Sequence, residues 1–124
     1  MKIKGFGINA DALQEDDQGK KKLDLNGLAR NLDHFTDMDF EFVEIPLHRL
    51  REISEGSFSP SYIEKIRRIL SGFPFKYTVH GPDPLNIKNK ENISSQRENL
   101  IKSLEFAHAL DSEILVFHPG KFAA

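Results

Sequence analysis

Blocks of apolar residues alternate with polar stretches along this chain, and the blocks read as four strands joined by three connections, each a loop followed by a helix. An apolar run from Ile3 to Ile8 predicts the first strand, and beyond a polar loop Leu25, Leu28, Leu32 and Phe35 recur at the spacing of one helical face. Phe40 to Leu47 predicts the second strand. Ser59 and Pro60 open the second helix, because a serine hydroxyl can cap the free amides of a first turn and proline suits the first helical position. Its buried stripe is expected at Ile63, Ile66, Ile69 and Leu70, with Gly72 ending it in the left-handed conformation. Phe75 to His80 predicts the third strand. Ser95 with Glu98 reads as a capping box, and Leu100, Ile101, Leu104, Ala107 and Leu110 as the apolar face of the third helix. Glu113 to His118 predicts the fourth strand.

Strand starts recur about every 34 to 38 residues, the length of one βα unit. The strands are mostly apolar on both faces, as a parallel sheet covered by helices requires. Such a series belongs either to a doubly wound open sheet or to the first half of a (β/α)8 barrel. The loop after the first strand, Asn9-Ala10-Asp11-Ala12-Leu13, carries neither a G-x-G-x-x-G nor a G-x-x-x-x-G-K-[ST] pattern, so the nucleotide-fold reading loses its main support. In a barrel every strand aims its C-terminal end at one mouth, where Asn9, Glu44, His80 and His118 would converge. The expected class is α/β, a single domain over residues 1–124 with four parallel strands and the helices packed outside.

Composition narrows the chemistry. A net charge of −2, with 39% hydrophobic and 29% charged residues, describes a globular domain without the basic surface that nucleic acid demands. Neither a signal-peptide pattern nor an apolar run of the roughly 20 residues needed to span a bilayer is found, so a cytoplasmic protein with no membrane partner is expected. The absence of cysteine removes disulfides and thiolate chemistry. Any metal must therefore be held by His, Asp and Glu.

Two histidines stand out because each ends an apolar run and precedes a pair that bends the backbone, in Tyr77-Thr78-Val79-His80-Gly81-Pro82 and Leu115-Val116-Phe117-His118-Pro119-Gly120. Glu44 is either a substrate contact at the mouth or a carboxylate paired with Arg49 or Arg51. Asn86, beside Asp83 in the third loop, either hydrogen-bonds substrate or fixes the turn. His48, in the loop after the second strand, either reaches the mouth or, as the favoured reading, is a solvated surface histidine, and His34 and His108 are surface or interface groups on helices. The Glu15-Asp16-Asp17 and Lys20-Lys21-Lys22 clusters keep the first loop solvated.

The segments Val79-His80-Gly81-Pro82, Leu85-Asn86-Ile87, Leu104-Glu105-Phe106-Ala107 and Ile114 to Gly120 together resemble the xylose-isomerase-like TIM barrels. Val43-Glu44-Ile45-Pro46-Leu47 resembles the second strand of that superfamily's sugar-handling branch. The resemblance implies a metal-dependent sugar or sugar-phosphate isomerase or epimerase, with Asn9, Glu44 and Asn86 as substrate contacts and His80 and His118 as ligands of a divalent metal (Zn, Mn or Mg). It identifies no catalytic base. The alternatives are an endonuclease IV type apurinic endonuclease, where such histidines bind zinc and the partner is nucleic acid, and a half-barrel binding module without chemistry. Asp37-Met38-Asp39 and Asp111-Ser112 occupy turns where a relative would carry Gly, a change Asp can support because it enters the left-handed region. A complete barrel needs about 250 residues. The expectation is an N-terminal half, inactive alone, whose open edges call for a second copy of itself or for a missing C-terminal half.

Overall fold

Four parallel strands lie side by side in chain order: β1 (Gly7–Asn9), β2 (Phe42–Pro46), β3 (Lys76–His80) and β4 (Leu115–Val116). The computed structural model describes residues 6–12, 22–54, 56, 58–81, 91 and 93–118. Between the strands run α1 (Leu25–Phe35), a 3₁₀ turn (Leu47–Arg49) leading into the single-turn α2 (Arg51–Ser54), α3 (Pro60–Ser71) and α4 (Ile93–Ala109). Helix α1 packs on α3 and α3 on α4, so the long helices form one layer against the sheet.

Strand alternation decides which residues go under that layer. Val43, Ile45 and Val79 point toward the helices and are fully buried with Leu28, Leu32 and Phe35 of α1, Ile66 of α3 and Phe106 of α4. Tyr77 points the same way, and its hydroxyl donates to the Leu70 carbonyl at 2.8 Å, tying β3 to the last turn of α3. The intervening residues, Glu44, Thr78 and His80, emerge on the opposite face. The register sets them in rows: Asn9 beside Glu44 beside Thr78, then Pro46 beside His80 beside Val116.

Side chains cap α1 and α3 at their starts, Ser59 of α3 as expected and Asp24 of α1 as a cap not predicted there. Asp24 Oδ1 accepts from the Gly27 amide at 2.7 Å to begin α1, and Ser59 Oγ accepts from the Tyr62 amide at 3.2 Å with Pro60 in first position of α3. Such a cap contributes about 1 kcal/mol. The third long helix differs: α4 begins at Ile93, so Ser95 lies inside the helix and the capping box is not formed there. Gly72 is also corrected. It closes α3 at φ −79°, ψ −1°, its amide donating to the Ile69 and Leu70 carbonyls, so the left-handed conformation is not used. Asp111, at φ 54°, does use it, whereas Asp37 and Asp39 do not.

The apolar face of α4 is corrected as well. The helix buries Ser103, Phe106 and Ala107, while Ile101 and Leu104 are about half exposed. Burial of Ser103 is tolerated because its hydroxyl donates to the Asn99 carbonyl one turn back at 2.7 Å. Strands β2, β3 and β4 are shorter than their apolar runs; β4 ends at Val116, which leaves His118 two residues beyond it.

Candidate functional site at the strand C-termini

His80 is the last residue of β3, and its backbone position fixes where its ring starts. Nδ1 lies 2.8 Å from the Gly81 carbonyl, which can only accept, so Nδ1 carries the proton and neutral His80 presents a bare Nε2. That Nε2 stands 3.3 Å from Nε2 of His118, with ring centroids 5.1 Å apart. Two histidines separated by 38 positions in sequence thus meet nitrogen to nitrogen. Gly81 allows the close approach of the two chains behind them: its amide donates to the Val116 carbonyl at 2.7 Å, and an added Cβ would sit 3.4 Å from Cβ of Phe117.

His48 belongs to this cluster, which supports its reading as a residue that reaches the mouth over the favoured one of a solvated surface group. It is half-buried, and its ring meets that of His80 edge to face at a centroid distance of 5.5 Å and an interplanar angle of 64°. The signal was present in the sequence, since Phe40 to Leu47 is an apolar run ended by a histidine, the same pattern that marks His80 and His118. The other two histidines, His34 and His108, are exposed on α1 and α4 as expected.

One row below that of His80, Asn9 at the end of β1 donates through Nδ2 to Glu44 Oε1 at 3.1 Å. Asn9 Oδ1 in turn accepts from the Asp11 amide at 3.2 Å, so one side chain both closes its own turn and orients the carboxylate. Arg49 donates through Nε to Asp11 Oδ2 at 2.8 Å, linking the loop after β1 to the turn after β2. The buried Asn31 of α1 donates to the Ala10 carbonyl at 3.0 Å and holds the same loop from below. Lys22 Nζ reaches the His48 carbonyl at 3.1 Å. That lysine braces the mouth rather than only solvating its loop. Asp83, Asn86, Glu15 to Asp17, Lys20 and Lys21 lie outside the described residues.

The site therefore consists of three imidazoles at the rim and an Asn–Glu pair below them, all at the C-terminal ends of parallel strands where ligands collect. Two nitrogens bound at about 2.0–2.1 Å to one tetrahedral ion stand roughly 3.3–3.4 Å apart. The His80–His118 separation fits that edge. Among the described residues no three His, Asp or Glu side chains cluster tightly enough to hold a metal ion. A cavity of about 540 Å³ opens at the other end of the sheet, against Phe42, Lys76, Tyr77 and Ile114, away from these groups.

Among the described residues no helix is long and apolar enough to cross a membrane. No curated protein matches the sequence. A solved structure of D-psicose 3-epimerase in the presence of D-fructose superposes with a TM-score of 0.64 at 15% identity, over 91% of this chain and 36% of that one. The chain thus spans about a third of that neighbour's length and shares its fold. A family model described as xylose isomerase-like TIM barrel matches residues 32–124, about three quarters of the sequence. Four parallel strands in chain order, helices layered on one face and polar side chains gathered at the strand ends are what part of such a barrel contains, and the chain belongs to the xylose isomerase-like TIM barrel family.

Proposed function

We propose that this chain forms part of the mouth of a metal-dependent sugar or sugar-phosphate isomerase or epimerase. The observation that carries the reading is the 3.3 Å approach of His80 Nε2 to His118 Nε2 at the strand ends. His80 and His118 would hold the divalent ion, which when bound polarises a substrate oxygen as charge develops beside a carbonyl. Asn9 and Glu44, one row below, would take sugar hydroxyls: the carboxylate accepts from a hydroxyl while Asn9 keeps it aimed. Membership of the family and the likeness to an epimerase structure support the class of reaction.

In the free protein the two imidazoles share one proton across the 3.3 Å gap, with His118 Nε2–H donating to the bare His80 Nε2. Binding an ion there requires neutral His118 to move its single proton from Nε2 to Nδ1, a tautomeric shift that releases no proton. Metal uptake should weaken as pH falls, because a protonated imidazole has no lone pair to give. Two imidazoles and one carboxylate cannot complete a metal shell and also leave a free base. The remaining donors and the base would come from a second copy of the chain or from further polypeptide.

The test is calorimetric titration of the chain with Zn²⁺, Mn²⁺ and Mg²⁺, beside the His80→Ala/His118→Ala double variant. Binding by the parent and its loss in the double variant is the expected result. Equal binding by both proteins overturns the assignment. Solvent-deuterium exchange at the α-proton of a ketose or aldose, set against incision of abasic DNA, then separates the isomerase reading from an endonuclease. The chain on its own and monomeric is expected to show neither.

A further inference from the structure

We propose that His48 is a positioning residue for His80: its ring edge fixes the plane in which His80 offers Nε2 to the ion, an inference that rests on the metal reading above. A hydrogen bond from Nδ1 to the Gly81 carbonyl sets the tautomer of His80 but leaves the ring free to rock about that bond. Two rings limit the rocking, His118 at 5.1 Å and His48 at 5.5 Å. His118 lies beyond the end of its strand and is exposed. His48 is the firmer neighbour.

The firmness of His48 comes from its surroundings. The flanking Leu47 and Leu50 are fully buried, so the 3₁₀ turn is anchored in the core on both sides of the histidine. Its carbonyl accepts from Lys22 Nζ, and the next residue, Arg49, holds Asp11. A short turn pinned at four points carries a ring whose edge rests against His80. Side chains that orient a metal-binding imidazole change metal affinity by about 10–100-fold when removed.

An edge-to-face contact depends on the ring and not on its nitrogens. His48→Phe should therefore preserve the positioning, while His48→Ala and the second ringless variant His48→Asn should abolish it. Co²⁺ titration followed by visible absorbance reads affinity, and nitrogen-15 NMR of the metal-free protein reads the His80 tautomer. Both ringless variants are expected to bind Co²⁺ about tenfold more weakly and, because a His80 ring free to rock loosens its bond to the Gly81 carbonyl, to mix the His80 tautomers, with His48→Phe close to the parent in both. If the parent binds Co²⁺ and the ringless variants match it in affinity and tautomer, the proposal is overturned. Equal loss of binding in the Phe and Ala variants, with the tautomer unchanged, would make His48 a donor itself and also overturn it. If the parent binds no Co²⁺ yet the tautomer follows the presence of the ring, the metal reading falls and the positioning of His80 by His48 stands.

Discussion

The first two βα units and the last one bury their apolar residues differently. In α1 and α3 the periodic apolar residues go under the layer: Leu28, Leu32, Phe35 and Ile66 are fully buried. In α4 the two apolar residues at the centre of the expected stripe, Ile101 and Leu104, stay 49% and 51% exposed, and Ile114, Val116 and Phe117 around β4 are partly exposed too. The open flank has a direction. The Lys102 ammonium sits 5.9 Å from the centre of the Phe58 ring, just before α3, and at 100° per residue Ile93 and Leu104 fall on the opposite side of α4. That side points away from α3, and among the described residues β4 is an edge strand. The helix thus carries two apolar sides, one packed within the described residues and one exposed among them.

The largest test of this contrast is cavity formation on each side. Phe35→Ala in α1 should cost about 3–5 kcal/mol, because the ring is fully buried, packs edge-on against Phe40 at 6.3 Å, and its neighbours are held by the sheet. Phe106→Ala in α4 removes an equally buried ring from the packed side of a helix whose other side is open, so the helix can settle into the space. Its cost should lie at the low end of that range or below it. Urea unfolding of both variants decides the matter, and a larger loss for Phe106→Ala would break the comparison.

Next in size is the tyrosine contribution, which lies wholly on the packed side. Burial, aided by the charge of Glu52, pushes the Tyr62 hydroxyl up to about 12, and burial raises Tyr77 as well. A phenol whose folded pKa lies above its unfolded value of about 10 favours the folded state while neutral. That stability is complete below pH 10 and is lost as pH rises from there toward the folded values, because the unfolded chain gives up the proton first. The thermal midpoint should fall above pH 10, less steeply in Tyr77→Phe. At neutral pH the same variant loses the bond to the Leu70 carbonyl, at a cost of about 1 kcal/mol. A flat midpoint from pH 9 to 11 would show that these hydroxyls are not buried in solution.

On the open side the expected change is in association, with little change in stability. Ile101→Glu/Leu104→Glu should alter folding free energy by no more than about 0.5 kcal/mol, since both side chains already meet water. It should lower any concentration-dependent mass seen by sedimentation, because an exposed apolar patch is what drives chains together. Loss of several kcal/mol would mean that this flank is packed after all.

The contrast also explains what could be read from the sequence. Strands and helices were legible wherever one periodicity dominated, as in Leu28, Leu32 and Phe35. In α4 two faces compete, and hydrophobicity alone selects Ile101 and Leu104 over a face that includes Ser103, because a serine that satisfies its hydroxyl at the Asn99 carbonyl looks polar in sequence and behaves as a small buried residue. His80 and His118 were legible as histidines ending apolar runs. His48 carries the same mark but in sequence stands between surface and mouth with surface favoured, and its edge-to-face contact with His80 places it in the cluster. The Arg49–Asp11 link was not legible: its partners are 38 residues apart, and pairing by sequence proximity drew Arg49 to Glu44, whereas the fold turns it toward the loop after β1.

The smallest effect lies on the solvent face of α3, between the two regions. Glu64 accepts from Arg67 at 2.6 and 2.8 Å and from Arg68 at 3.3 Å. The hydrogen bonds from Arg67, with its charge and then Arg68, hold the Glu64 carboxyl down to about 2, below its ordinary 4.5. A carboxylate depressed in this way favours the folded state above its ordinary value, and the contribution is lost as pH falls from 4.5 toward 2. Because the group is exposed, water and salt screen the interaction. Carbon-13 NMR should therefore find Glu64 titrating near pH 2 at low salt, with the midpoint climbing toward 4.5 at about 1 M salt, where screening acts over roughly 3 Å. Glu64→Gln should leave the thermal midpoint at neutral pH unmoved. A measurable drop would give the outer face of α3 a share in stability and blur the line between the packed units and the open one.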